Sequence, residues 1–195
     1  MMRLSLLVAF ALAVLTLAGC ASPKADFYTL SPEAPRESAR PATPIVVLIG
    51  SVNVPELVDR PQIVVRAGAN QVTMNEFARW ADSLKSQIPR VLAADVAQEL
   101  NSPRVSAYPM AGDMTAVWRV QIDVQRFDAT LGDAVTVEVL WSVSPPGKRA
   151  PLSGRSTVRE PCAGAGYDAV VAAYSRAFAT VSGDISASIR SAAPL

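Results

Sequence analysis

Two cysteines are the most reactive side chains in this sequence, and they stand in different settings. Cys20 closes Leu17-Ala18-Gly19-Cys20, whereas Cys162 lies in Pro161-Cys162-Ala163-Gly164. The first setting matches the bacterial lipobox, in which the thiol is joined to diacylglycerol and a peptidase then cuts just before it. That peptide must lie extended in a narrow site, which requires small residues, and Ala18 and Gly19 meet the requirement. Other nucleophile chemistry is thin. There is no histidine, which excludes Ser-His-Asp and Cys-His catalysis and His-ligated zinc. Asp59, Asp82, Asp95, Asp123, Asp128, Asp133 and Glu138 are scattered without an evident catalytic pair, and such carboxylates read as solvated surface. No phosphate loop or nucleophile elbow occurs. Gly164-Ala165-Gly166-Tyr167-Asp168-Ala169 has the glycine pattern of a dinucleotide fold, but too little chain follows to complete the βαβ unit it needs. It reads as a flexible helix start, with Asp168 complementing the positive helix terminus. No catalytic, cofactor or metal site is expected.

The elements around Cys20 explain how it would be presented. Met1-Met2-Arg3 precedes an apolar run from Leu4 to Leu17 broken only by Ser5 and Thr16, the layout of a secretory signal peptide over residues 1–19. The run is shorter than the ~20 residues a membrane-spanning helix needs. Ala21 follows the cysteine. In the Gram-negative lipoproteins this segment resembles, an Asp there retains the protein at the inner membrane, so Ala21 implies the periplasmic face of the outer membrane. Several acyl chains make such an anchor durable, at about 0.8 kcal/mol per buried CH₂. With Cys20 lipidated, Cys162 is the only thiol left and no intrachain disulfide forms. It reads as an inert apolar side chain under a loop. The formal charge is +1, and loss of Arg3 leaves Lys+Arg equal to Asp+Glu at 17 each. A neutral protein has no basic surplus for nucleic acid or for anionic membranes.

The 195 residues suit one domain, expected over residues 45–195. Residues 20–44 carry Pro23, Pro32, Pro35, Pro41 and Pro44 and read as an extended tether. Within it, Phe27-Tyr28-Thr29-Leu30 has high strand propensity. If it docks, the free tether shrinks to Ala21–Asp26, at most about 20 Å. Ile45–Ile49, continuing towards Val54, reads as a buried strand, with further short strands at Ile63–Arg66 and Asn70–Met74. Phe77, Trp80, Leu84, Ile88, Val91, Leu92, Val96 and Leu100 recur at helical spacing. Thr73-Met74-Asn75-Glu76 offers an early capping box, and Pro89 should kink or divide the helix. Trp118–Val124 and Val135–Val143 alternate as hairpin partners around Gly132-Asp133. A strand near Leu152–Arg159 follows Pro145-Pro146-Gly147, and a last helix carries Tyr167, Val170, Val171, Tyr174, Phe178, Val181, Ile185 and Ile189 on one stripe. The expected fold is an α/β sandwich with a mixed, largely antiparallel sheet and two main helices.

The most individual stretch runs from Val54-Pro55-Glu56-Leu57-Val58 through Asp59-Arg60-Pro61-Gln62 to Arg66. One reading is a turn held by a local ion pair, worth under about 1 kcal/mol if exposed. The other is a proline-braced loop presenting Asp59, Arg60, Pro61, Gln62 and Arg66 to a partner, since binding residues concentrate on loops. Together with Phe27-Tyr28-Thr29-Leu30, Trp80-Ala81-Asp82-Ser83-Leu84 and Ile88-Pro89-Arg90-Val91-Leu92, this stretch resembles the ABC-type transport auxiliary lipoproteins, the PqiC or YmbA family. The chain departs from that pattern at Leu57-Val58, where the family has Tyr-Leu, and at Ser83, where proline is usual. The resemblance implies a three-layer α/β fold similar to the anticodon-binding and TolB N-terminal type. It also implies a non-catalytic outer-membrane partner of an MCE-domain protein and its inner-membrane transport complex. A homo-oligomeric ring would let such a protein surround a lipid conduit. The rival expectation is a carrier that itself encloses an acyl chain between its valine and tryptophan faces.

Overall fold

Alternating valines build the centre of the molecule. Val120, Ile122 and Val124 are buried while Gln121 and Gln125 are exposed, the period-two signature of a strand with one face in the core. The computed structural model describes residues 24–34, 42–109 and 116–193, so the signal segment and Cys20 lie outside the described residues. The elements run β1 (Asp26–Tyr28), β2 (Val46–Asn53), β3 (Gln62–Gly68), β4 (Gln71–Trp80), α1 (Leu84–Leu100), β5 (Val105–Ser106), β6 (Val117–Ala129), β7 (Ala134–Ser144), β8 (Leu152–Pro161) and α2 (Tyr167–Ala192).

Two open sheets result. The larger has the order β5-β2-β6-β7-β8, with β2 parallel to both neighbours and β6, β7 and β8 an antiparallel meander. Gly132, at φ 72°, supplies the left-handed backbone that the β6–β7 turn requires. The smaller has the order β1-β4-β3, with β1 parallel and β3 antiparallel to β4. Both helices pack on one face of the large sheet and against each other. The mixed α/β architecture with two main helices is the one expected, while the strands, expected in one sheet, divide into two.

The helix start differs from expectation. Thr73–Glu76 does not cap a helix; it belongs to β4, and Phe77 and Trp80 are strand residues with opposite orientations. Their spacing from Leu84 mimics a helical stripe only because the strand ends just before the helix begins. The actual cap is Ser83, whose hydroxyl accepts the Ser86 N–H at 3.2 Å. Pro89 does not divide the helix, which runs unbroken from Leu84 to Leu100. It lies in the second turn, where its missing N–H forfeits a single backbone bond, and its ring is buried.

An aromatic cluster joins the small sheet to the main core. Phe127 of β6 stacks on Tyr174 of α2 at 3.8 Å, and Trp80 meets Phe127 edge-on at 6.2 Å. The Tyr174 hydroxyl is fully buried without a hydrogen-bond partner, and burial pushes its pKa well above the usual value.

The segment after β1 is fastened as a strap. Leu30 N–H donates to the Gln87 side-chain oxygen at 2.8 Å, Glu33 N–H to Asp95 Oδ1 at 2.9 Å, and Ser31 N–H to Ser175 Oγ at 3.1 Å. Gln98 returns a bond to the Glu33 carbonyl at 2.9 Å. Gln87 and Asp95 are buried polar residues of α1, and the strap's backbone gives each of them a hydrogen-bond donor.

Candidate functional site

The loop between β2 and β3 is rigid for local reasons. Val58 N–H and Asp59 N–H both donate to the Pro55 carbonyl, and Arg60 N–H donates to Val58 O at 2.9 Å. Val58 is buried as a plug, which turns Leu57 outward to 43% exposure. The Pro61 carbonyl accepts the Trp80 N–H at 2.7 Å, tying the loop to the end of β4. Pro61 therefore acts through its backbone.

The charged residues of the loop do not pair with each other. Asp59 takes the Lys85 ammonium at 2.6 Å, so the expected local ion pair is replaced by one that staples the loop to the first turn of α1. Arg60 lays its guanidinium on the Met74 sulfur at 3.0 Å and has no carboxylate partner among the described residues. Gln62 donates to Glu76 at 2.9 Å. Arg66 points away from the loop, to Asp128 at 3.1 Å. Burial would raise the Asp128 pKa, but hydrogen bonds from Arg126 and Arg66 outweigh it and hold the carboxyl below its usual range. Of the five expected docking residues, Arg60 and Gln62 are presented outward together, while Asp59 and Arg66 brace the scaffold.

Three residues of this surface escape a sequence reading. Phe27 sits in register with Arg79, which is also in register with Gln62, so the three share one face of the small sheet. Phe77 joins them two residues before Arg79, while Ala78 and Trp80 between and beyond are buried. Asn75 accepts the Phe77 N–H at 2.9 Å within a β-bulge, which turns the ring outward. Phe27 is 66% exposed and Phe77 43%. The alternation from Phe77 to Trp80 carries this signal, but helical spacing to Leu84 masks it.

Elsewhere, polar groups serve the fold. Trp141 Nε1–H donates to Ser156 Oγ at 3.0 Å, and Ser156 donates to Asp184 at 2.6 Å, which ties β7 and β8 to α2. Cys162 packs against the core, and its burial pushes the thiol up despite the nearby Arg176, which lowers its nucleophilicity. Among the described residues no group of three or more His, Cys, Asp or Glu is placed to hold a metal. No helix among them is long and apolar enough to cross a membrane.

The described residues form a small α/β domain that offers a braced loop and an open sheet face. The chain belongs to the ABC-type transport auxiliary lipoprotein component family, whose profile matches residues 28–186. It is similar in fold to protein XCC0632 from Xanthomonas campestris, with a TM-score of 0.65 and 20% identity over 83% of this chain and 93% of that one. An uncharacterized protein is similar at a TM-score of 0.71 and 18% identity, over 86% of this chain and 99% of that one. No curated protein sequence matches it.

Proposed function

We propose that this protein is a non-catalytic adaptor of a lipid-transport system, anchored through lipidated Cys20 to the periplasmic face of the outer membrane. In this reading its partner is an MCE-domain protein that spans the periplasm from an inner-membrane ABC-type complex. Lipid passes through the assembly without this chain making or breaking a bond, and the traffic maintains the envelope. Assembly of several copies into a ring would let the protein surround the conduit.

The observation that carries the reading is the braced loop. Arg60 and Gln62 stand outward on a support fixed by Val58, by the Pro55 and Pro61 carbonyls, and by the Asp59–Lys85 pair. A pre-organised loop binds with little ordering cost. Family membership supplies the transport context. The carrier reading receives less support. The interior between helices and large sheet is filled by packed side chains, and the groove of 560 Å³ beside the strap is lined by Ser31, Glu33, Asp168, Ser175 and Arg176 as well as apolar atoms. Glu33, Asp168 and Arg176 place formal charges in that lining, which an acyl chain would have to desolvate.

The test is a photoreactive residue at Arg60, crosslinked in the native envelope and read by mass spectrometry. A crosslink to an MCE-domain protein is the expected result. Crosslinks to lipid alone would favour the carrier, and loss of every MCE contact would overturn the adaptor.

A further inference from the structure

The outer face of the small sheet carries exposed aromatic side chains. Phe27 and Phe77 stand on it at 66% and 43% exposure, with Met74 nearby at 44%. Arg79 lies in register with Phe27 and has no ion-pair partner among the described residues. Such a patch of aromatics beside an unneutralised guanidinium calls for an occupant that is apolar at one level and anionic at the next.

Chain length says which occupant is close enough. Six residue-to-residue steps lead from Cys20 to Asp26, a span of at most about 20 Å when fully extended. Phe27 is the next residue, and the strap beyond it is bonded to both helices, so no slack is gained from residues 29–33. An acyl anchor at Cys20 would hold Phe27 permanently within one tether length of lipid. The protein without its signal segment carries no net charge, so attraction to the surface must come from local side chains rather than the overall field.

We infer that this face rests on the phospholipid surface that holds the anchor, with Phe27 and Phe77 in the boundary between headgroups and acyl chains and Arg79 on lipid phosphates. Aromatic rings favour that boundary, and guanidinium groups pair well with phosphate. The inference rests on the anchoring half of the proposed function and is independent of the partner's identity.

The experiment uses the full lipidated chain in vesicles of phosphatidylethanolamine and phosphatidylglycerol, with and without brominated acyl chains. Phe27→Trp and Phe77→Trp variants report contact by quenching, and Gln121→Trp, on the open face of the large sheet, is the control. Native Trp80 and Trp118 are buried and Trp141 is half-buried, so the signal of the parent protein in both vesicle sets is subtracted. Bromine should quench the residue-27 and residue-77 signals at least twofold more than the control. Arg79→Glu should at least halve that excess. Equal quenching at all three positions in protein that floats with the vesicles would overturn the contact. So would a blue-shifted Phe27→Trp emission without quenching, which would assign the face to another polypeptide. Flotation compared with Cys20→Ala reads the anchor separately; if the native chain fails to float, anchoring and contact fall together, while Arg60 crosslinking still reports on the partner.

Discussion

The two sheets each turn one face into the core and leave the other open, yet the open faces are unlike. On the large sheet Arg155 pairs with Glu138 at 2.9 Å, Arg159 meets Asp133 at 2.7 Å, and Gln121 and Gln125 stand in solvent. On the small sheet Phe27, Phe77 and Met74 are exposed, and Arg60 and Arg79 have no carboxylate partner among the described residues. Both sheets use the same period-two alternation to fold, so stability is decided by the inward residues alone. The outward ones are free to differ, and their difference marks the small sheet as the surface with work to do.

Neighbouring substitutions sharpen that contrast most. Val120→Asp puts an unpaired charge into the core and should abolish cooperative unfolding in urea, a loss above about 4 kcal/mol. Gln121→Asp, one residue along and facing out, should stay within about 0.5 kcal/mol of the native chain. The next effect separates two glycines. A Cβ at Gly154 would overlap the Trp141 ring, so Gly154→Ala should break the Trp141–Ser156–Asp184 chain and cost about 1–3 kcal/mol. Gly183, in α2 with open space around it, should gain up to about 1 kcal/mol as alanine. Ser83→Ala removes the cap of α1 and should cost about 1 kcal/mol, read by the same titration.

A pH series gives a smaller signal. Asp128 has a folded pKa below its unfolded value of about 3.9, so its contribution is complete above that value and disappears as pH falls through the folded pKa. Between pH 5 and pH 3 the native chain should therefore lose more stability than Asp128→Asn. The least effect belongs to the open face of the small sheet. Phe27→Ser and Phe77→Ser should leave the urea midpoint nearly unchanged, within about 0.5 kcal/mol. A large loss there would mean that these rings support the fold, and the contrast between the sheets would collapse.

Long patterns were the legible ones. The β6–β7 hairpin and α2 carry their periods over ten residues or more, and the structure follows them to within a few residues. The junction of β4 and α1 was not legible, because Phe77, Trp80 and Leu84 keep helical spacing across a strand end. The period changes there, and only tertiary pairing with β1 and β3 reveals it. The strap was visible as four strand-prone residues, but its fastening was not. Gln87 and Asp95 look like surface positions of an amphipathic helix until the backbone of residues 30–33, far away in sequence, comes to meet them. The same holds for the loop: adjacency pairs Asp59 with Arg60 on paper, whereas space pairs it with Lys85, 26 residues on. Contacts made across such separations leave no local periodicity to read.

The direction of β1 has a mechanical consequence. It runs parallel to β4, and the chain before Asp26 enters at its N-terminal end. Tension drawn along that strand loads the ladder in shear, with the bonds at Asp26–Tyr28 sharing the force, and the strap's bonds to Gln87, Asp95 and Ser175 stand behind them in series. Bonds sheared side by side must fail together, whereas a strand peeled from its end loses them one at a time. A pull on the N-terminal end of β1 would thus be shared between the ladder and the strap before it reached the helices.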